Sequence, residues 1–291
     1  MALLLGGCGS QEAAELPPAA TPAPSPPLST EPAGRVAGIG GRPEAIAFDE
    51  KTGLVAIALP DRARIALSDP RTGRVRRTMP ADAAPVGLRL ALRGAARAGG
   101  KAFVADGRAG TVSVFAGGRR VARPRTGLQP GAVATAGGGR GVAVLDVRER
   151  VLDLLDARTL RRAGRATAGT GPTRAASDGG NYVYVLDTKV GALLIYRIVP
   201  ELRLQRRYDL AGSPYGLAYD LEHRRIWVTL TATNELVELS VGARPRELRR
   251  FPTVAGPRGV AVDPASGRVF VTGTREGVLQ LLDPPPLPRD R

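Results

Sequence analysis

Apolar residues fall along this chain in runs of five or six, broken by short polar turns, and no stretch sustains a helical period. Runs of that length with partial alternation mark strands. One set covers Leu54–Leu59, Ala102–Asp106, Gly141–Asp146, Tyr182–Asp187, Ile226–Leu230 and Val269–Gly273. A second set follows it: Arg64–Ser68, Thr111–Phe115, Val151–Leu155, Ala192–Tyr196, Glu235–Leu239 and Val278–Leu282. Turns such as Asp49-Glu50-Lys51-Thr52-Gly53, Asp69-Pro70-Arg71-Thr72-Gly73 and Asp263-Pro264-Ala265-Ser266-Gly267 punctuate the strands, each residue type having a backbone reason to be there.

Ahead of each strand pair stands a phrase of Pro, any residue, a small residue and an aliphatic. Its copies are Pro43-Glu44-Ala45-Ile46, Pro85-Val86-Gly87-Leu88, Pro130-Gly131-Ala132-Val133, Pro172-Thr173-Arg174-Ala175, Pro214-Tyr215-Gly216-Leu217 and Pro257-Arg258-Gly259-Val260. The prolines recur at steps of 42, 45, 42, 42 and 43 residues. Six units at this period, each with room for four short strands, predict an all-β fold, a six-bladed β-propeller. Pro at the start of the first strand costs little, because its missing N–H is not needed there. The small residue two places on suits strands crowding toward a central channel. In the second unit, Leu92–Gly100 lengthens the first turn and reads as a surface loop.

The ring must close. The last unit's third strand ends near Leu282 and runs into Pro284-Pro285-Pro286, which cannot supply a ladder strand. Arg35-Val36-Ala37-Gly38-Ile39 precedes the first unit and has no blade of its own. It is expected to complete the sixth blade, joining the two ends of residues 35–283 and removing exposed sheet edges. Residues 284–291 form a Pro-rich tail.

The first eight residues end in Leu5-Gly6-Gly7-Cys8, similar to the bacterial lipobox, whose Cys is lipidated. The apolar run is short and no Lys or Arg precedes it, so two readings stand: a lipid anchor at Cys8, or an apolar N-terminus without one. Cys8 is the only Cys, which excludes an intramolecular disulfide. Residues 9–34 are rich in Pro, Ala, Ser and Thr and are expected to be a disordered spacer of polyproline character, reaching roughly 70 Å over 11–34.

The phrases Tyr182-Val183-Tyr184-Val185, Ile226-Trp227-Val228-Thr229 and Val269-Phe270-Val271-Thr272, with third-strand endings such as Leu281-Leu282-Asp283 and Leu154-Leu155-Asp156-Ala157-Arg158-Thr159, resemble the YVTN-type propeller repeat. The resemblance spans nearly all of 35–283. It implies a propeller that is often extracytoplasmic and often without assigned activity. Many members have seven blades; six are counted here. Gluconolactonase-like and NHL propellers are related by architecture, and some of them are metal-dependent hydrolases.

The residue after each Pro is expected near the channel mouth: Glu44, Val86, Gly131, Thr173, Tyr215 and Arg258. Glu44, Arg174, Tyr215 and Arg258 are the candidate ligand-binding residues. A hydrolytic metal centre needs several converging oxygens, and only Glu44 supplies a carboxylate there, so no metal and no cofactor is expected. Asp106, Asp146 and Asp187 end the second strand in three consecutive units. They read either as an arc for a cation or as acceptors for their own loops' N–H groups, with Arg108, Arg148 and Lys189 neutralising them locally. His223 is the only His and reads as a solvated turn residue, which leaves no Ser-His-Asp triad. Ser213 has no evident base partner.

The net charge is +15, nearly all of it Arg. Much of it falls in the predicted outer strands, at Arg74, Arg76, Arg77, Arg119, Arg120, Arg123, Arg161, Arg162, Arg165, Arg206, Arg207, Arg249 and Arg250. This belt either attracts an anionic partner or covers edge strands with Arg stems. The expected protein is a monomer anchored to the outside of the cell membrane through Cys8. It docks a protein or envelope polymer, and nucleic acid is not expected. A lactonase-type hydrolase or lyase is the alternative.

Overall fold

A computed structural model describes residues 16–82 and 96–287. Cys8 and the phrase Pro85-Val86-Gly87-Leu88 lie outside the described residues. The strands form six four-stranded antiparallel sheets. Five run in chain order from inner to outer strand, over 45–80, 96–122, 130–167, 172–209 and 214–252. They are numbered blades 1 to 5. Blade 6 takes three strands from 257–282 and its outer strand from Arg35–Gly38, with Arg35 opposite Leu281 and Gly38 opposite Val278. The closure expected from the interrupted sixth unit is therefore the one that forms. Its cause is the Pro run after Leu282, which leaves the third strand of that blade with a free edge.

A twisted four-stranded sheet buries its two faces against its neighbours, so the core lies between blades. Blades 3 and 4 share Leu145, Leu152, Val183 and Tyr196; blades 4 and 5 share Tyr184, Ile195, Val228 and Leu239; blades 5 and 6 share Trp227, Leu236, Val269 and Val271; blades 6 and 1 share Phe270, Leu279, Ile57 and Val55. All these side chains are at most 2 % exposed, and each is worth about 1.5–3 kcal/mol for an aliphatic fully removed from water.

Two segments differ from expectation. Ala96–Ala98, expected in a loop, is a strand paired with Lys101–Asp106. Ala96 and Ala98 pack against Phe103 and Val142, and Gly99-Gly100, at φ +54 and +72, make the tight turn that only such residues allow cheaply. The second correction concerns the spacer. In its described part it is strapped to the propeller. The Ala23 N–H donates to the Ser213 hydroxyl (2.9 Å), the Ser25 hydroxyl donates to Asn234 Oδ1 (2.6 Å), and Asn234 Nδ2 donates to the Pro26 carbonyl (3.0 Å). Gln280 Nε2 donates to the Ala33 carbonyl (2.8 Å). A chain of Ala, Pro and Ser cannot build a core, but an extended one leaves its carbonyls and hydroxyls free to be gripped by loops that already exist.

Candidate functional site

Antiparallel pairing puts the start of every inner strand and the turn between every second and third strand on the same face. That face carries the open end of a central cavity of about 790 Å³. Its described wall includes Glu44 from blade 1, Arg108 from blade 2, Arg148 from blade 3, Arg174 from blade 4 and Arg258 from blade 6. Lower on the same inner strands the wall becomes apolar, with Ile46, Val133, Leu217 and Val260.

Three of the four candidate binding residues line this cavity. Glu44 and Arg258 come from blades 1 and 6 and stand 3.9 Å apart, nitrogen to oxygen. Arg174 Cζ lies over the Tyr215 ring, 4.7 Å from its centroid, and the guanidinium donates to the Thr173 carbonyl at 3.2 Å. Tyr215 is not in the cavity wall; it supports the guanidinium that is. The expectation for Thr173 fails. Its side chain is buried, and its hydroxyl meets that of Thr188 at 2.6 Å, which in turn donates to the Pro214 carbonyl of blade 5. The ladder slips by one residue between Pro172 and Arg174, and similar irregularities follow Pro130, Pro214 and Pro257. Bulges change which side chains face the channel, and in blade 4 it is Arg174, not Thr173, that reaches the cavity wall.

Crowding around the channel explains the small residues. The Gly216 N–H donates to the Thr229 hydroxyl at 2.8 Å, and a Cβ on Gly216 would lie 2.6 Å from that hydroxyl and 3.0 Å from the Arg258 carbonyl of the next blade.

The structure does not bring Asp106, Asp146 and Asp187 together as a cation arc. Asp146, 2 % exposed, accepts from the N–H groups of Gln129 (2.7 Å), Arg148 (2.9 Å) and Glu149 (2.7 Å). Asp187, 1 % exposed, accepts from those of Thr170 (2.7 Å) and Gly171 (2.9 Å). Asp106 pairs outward with Arg123 at 2.9 Å. Asp146 and Asp187 hold their own loops, and among the described residues no three His, Cys, Asp or Glu side chains are grouped to hold a metal ion. Sequence reasoning treated Arg108 and Arg148 as local neutralisers of these aspartates and missed them as cavity residues. The signal was the Asp-x-Arg spacing itself. With the Asp turned into its loops, the residue two places on is left at the mouth.

Two further residues lie apart from any chemistry. Ser213, at φ +57, accepts from the strap. His223 sits on the opposite face, in the turn between the inner and second strands of blade 5, with Nδ1 3.0 Å from the buried Asp220 carboxylate. It is an exposed turn residue, as expected, with its ring against Asp220.

No family model matches the chain, and no curated protein matches it in sequence. Solved structures do match in fold. A chain of the mitotic checkpoint complex superposes with a TM-score of 0.65 at 12 % identity, over 97 % of this chain and 99 % of that one. The β-propeller domain of Cps50 (Swd1) from Myceliophteria thermophila gives 0.60 at 12 %, over 86 % and 100 %. A functionally unknown protein from Desulfotomaculum acetoxidans DSM 771 gives 0.56 at 10 %, over 76 % and 72 %. At these identities the likeness is one of fold alone, that of a β-propeller.

Proposed function

We propose that this protein is a lipid-anchored, extracytoplasmic binding module of the YVTN type, and that its partner docks on the face where the channel opens. The observation that carries this reading is the convergence of Glu44, Arg174 and Arg258, with Tyr215 behind Arg174, from four different blades onto one cavity mouth. Rigid inner strands present them, and a preformed concave site with a few placed polar groups is the usual form of a binding pocket. The anchor rests on Leu5-Gly6-Gly7-Cys8. No helix among the described residues is long and apolar enough to cross a membrane. The strap is consistent with a tether, since it fixes where the chain meets the propeller, across the loops of blades 4 to 6.

The test has two parts. Fatty-acid labelling of the full chain should mark the wild type and not Cys8→Ser, and an unlabelled wild type removes the anchor from the proposal. Cross-linking in envelope fractions should capture a partner that Arg174→Ala/Arg258→Ala loses and that an outer-strand control, Arg206→Ala/Arg207→Ala, retains. Equal capture by all three proteins would refute docking at the mouth.

A further inference from the structure

We propose that the cavity beneath the mouth binds a multivalent oxyanion, a ligand presenting two or more carboxylate or phosphate groups to Arg108, Arg174 and Arg258 with Arg148 beside them. This rests on the binding-module reading and adds the chemistry of what is bound.

The charge balance of the wall points this way. Four guanidiniums line the cavity against two carboxylates, Glu44 and Asp106, and Asp106 is already paired with Arg123 outside the wall. Clefts lined by one sign of charge between low-dielectric walls focus the field and concentrate counter-ions. Arg is also the side chain whose fork matches carboxylate and phosphate oxygens in pairs. Its orientation is partly set in advance. The Tyr215 ring and the Thr173 carbonyl hold Arg174, and Glu44 stands 3.9 Å from Arg258.

Size and polarity narrow the ligand further. A cavity of about 790 Å³ falls within the range of small-molecule sites. The cationic groups lie at the mouth and the apolar wall lies below, so the ligand would enter with an uncharged body leading and its oxyanions at the rim. Glu44 sits where the ligand must displace it from Arg258. It acts as a counter-charge that a multivalent anion outcompetes and a monovalent one does not.

Calorimetric titration of the purified full chain at physiological salt tests this, with citrate, pyrophosphate and a hexaglutamate peptide as probes and acetate and spermidine as controls. At least one multivalent probe should bind with a Kd on the order of 10–100 µM while the controls do not. Arg174→Ala and Arg258→Ala should each weaken it on the order of tenfold or more, the equivalent of losing one charge-assisted hydrogen bond. Glu44→Gln, an exposed change that leaves the fold alone, should tighten it several-fold; a merely structural Glu44 would leave it unmoved. Citrate or pyrophosphate binding without hexaglutamate identifies a free small anion as the source. Hexaglutamate alone identifies an acidic peptide tip. Both outcomes support the shared chemistry. Absence of binding by all three probes overturns the inference, as does equal weakening by Arg206→Ala/Arg207→Ala. If partner capture still depends on Arg174 and Arg258 in that case, docking at the mouth survives and only the oxyanion is lost.

Discussion

Replacing Asp146 by Ala separates a loop anchor from a cation ligand. The wild-type carboxylate, 2 % exposed, accepts three amide N–H groups at 2.7, 2.9 and 2.7 Å, drawn from the loop before the inner strand and from the turn after the second strand. Each hydrogen bond to a charged group contributes about 1.5–3 kcal/mol. The three are not additive, because loops released together can shift and hydrate, so the expected loss is about 3–5 kcal/mol, similar to breaking a buried ion pair. Asp106→Ala removes a partly exposed pair with Arg123, whose loss should cost below about 1 kcal/mol. At about 2–4 °C per kcal/mol for a domain of this size, Asp146→Ala should lower Tm by about 6–20 °C and Asp106→Ala by at most about 4 °C. Melting curves with and without chelator provide the readout. A cation arc predicts instead that both variants fall equally and that chelator lowers the wild type. Equal Tm losses would refute the loop-anchor account. The binding readout carries an independent sign. Removing a negative charge should strengthen anion binding if charge alone mattered, whereas releasing the turn that carries Arg148 should weaken it.

Three further perturbations test other parts of the fold. Gly216→Ala forces a methyl against Thr229 and the Arg258 carbonyl, so it should cost about 2–4 kcal/mol and disturb the mouth; a Tm within 2 °C of the wild type, less than about one kcal/mol, would show that the inner strands can spread. Asn234→Ala removes the bonds to Ser25 and Pro26 at a residue with φ +54, which Asn tolerates better than Ala, and should speed proteolytic cleavage within 19–33. Unchanged cleavage would mean that the strap is held elsewhere. Asp69 is held well below the usual carboxylate range, first by the Arg76 guanidinium and then by the N–H groups of Thr72 and Arg71. A depressed folded value means stability present above the unfolded pKa of about 3.9 and lost as pH falls through the folded one. The stability gap between wild type and Asp69→Asn should therefore hold steady from pH 8 to 5 and shrink below about pH 4. A gap that persists at low pH would assign the effect to something other than ionisation.

Much of the architecture was legible because a propeller repeats its constraints. The phrase around each Pro marks a place where backbone crowding and a dispensable N–H coincide, and the Pro run after Leu282 marks a missing strand that Arg35–Gly38 supplies. The strap was illegible for the opposite reason. Residues 16–33 carry no periodicity, and their partners Ser213, Asn234 and Gly256 lie 190 to 231 residues away. The site was half legible. Glu44 and Arg258 follow their prolines directly, whereas Arg174 stands two places after its proline, beside a Thr173 that is buried. Arg108 and Arg148 became visible only once Asp146 was seen to turn into its loops and Asp106 to pair with Arg123.

The arginines themselves divide by geometry, which bears on how an anion would be recognised on so basic a protein. On the outer strands, Arg165 stands opposite Asp153 in the ladder and holds it with two bonds of 2.7 Å, and Arg249 stands opposite Glu238, which Arg225 also bonds. Arg250 takes Glu235 and Glu247, and Arg268 takes Asp283. These guanidiniums answer carboxylates on the same or the adjoining strand and cover the sheet edge with their stems. Arg119, Arg120, Arg203 and Arg206 are exposed on the rim, where screening over about 8 Å limits their reach at physiological salt. At the channel mouth, among the described residues, four guanidiniums share a concave wall with two carboxylates, Glu44 and the Arg123-paired Asp106. A long anionic polymer would feel the whole rim and dissociate steeply with salt. A compact oxyanion held in the cavity would depend on Arg174 and Arg258 and much less on the rim. Rim and mouth variants compared across a salt series therefore measure directly which of the two arginine populations does the recognising.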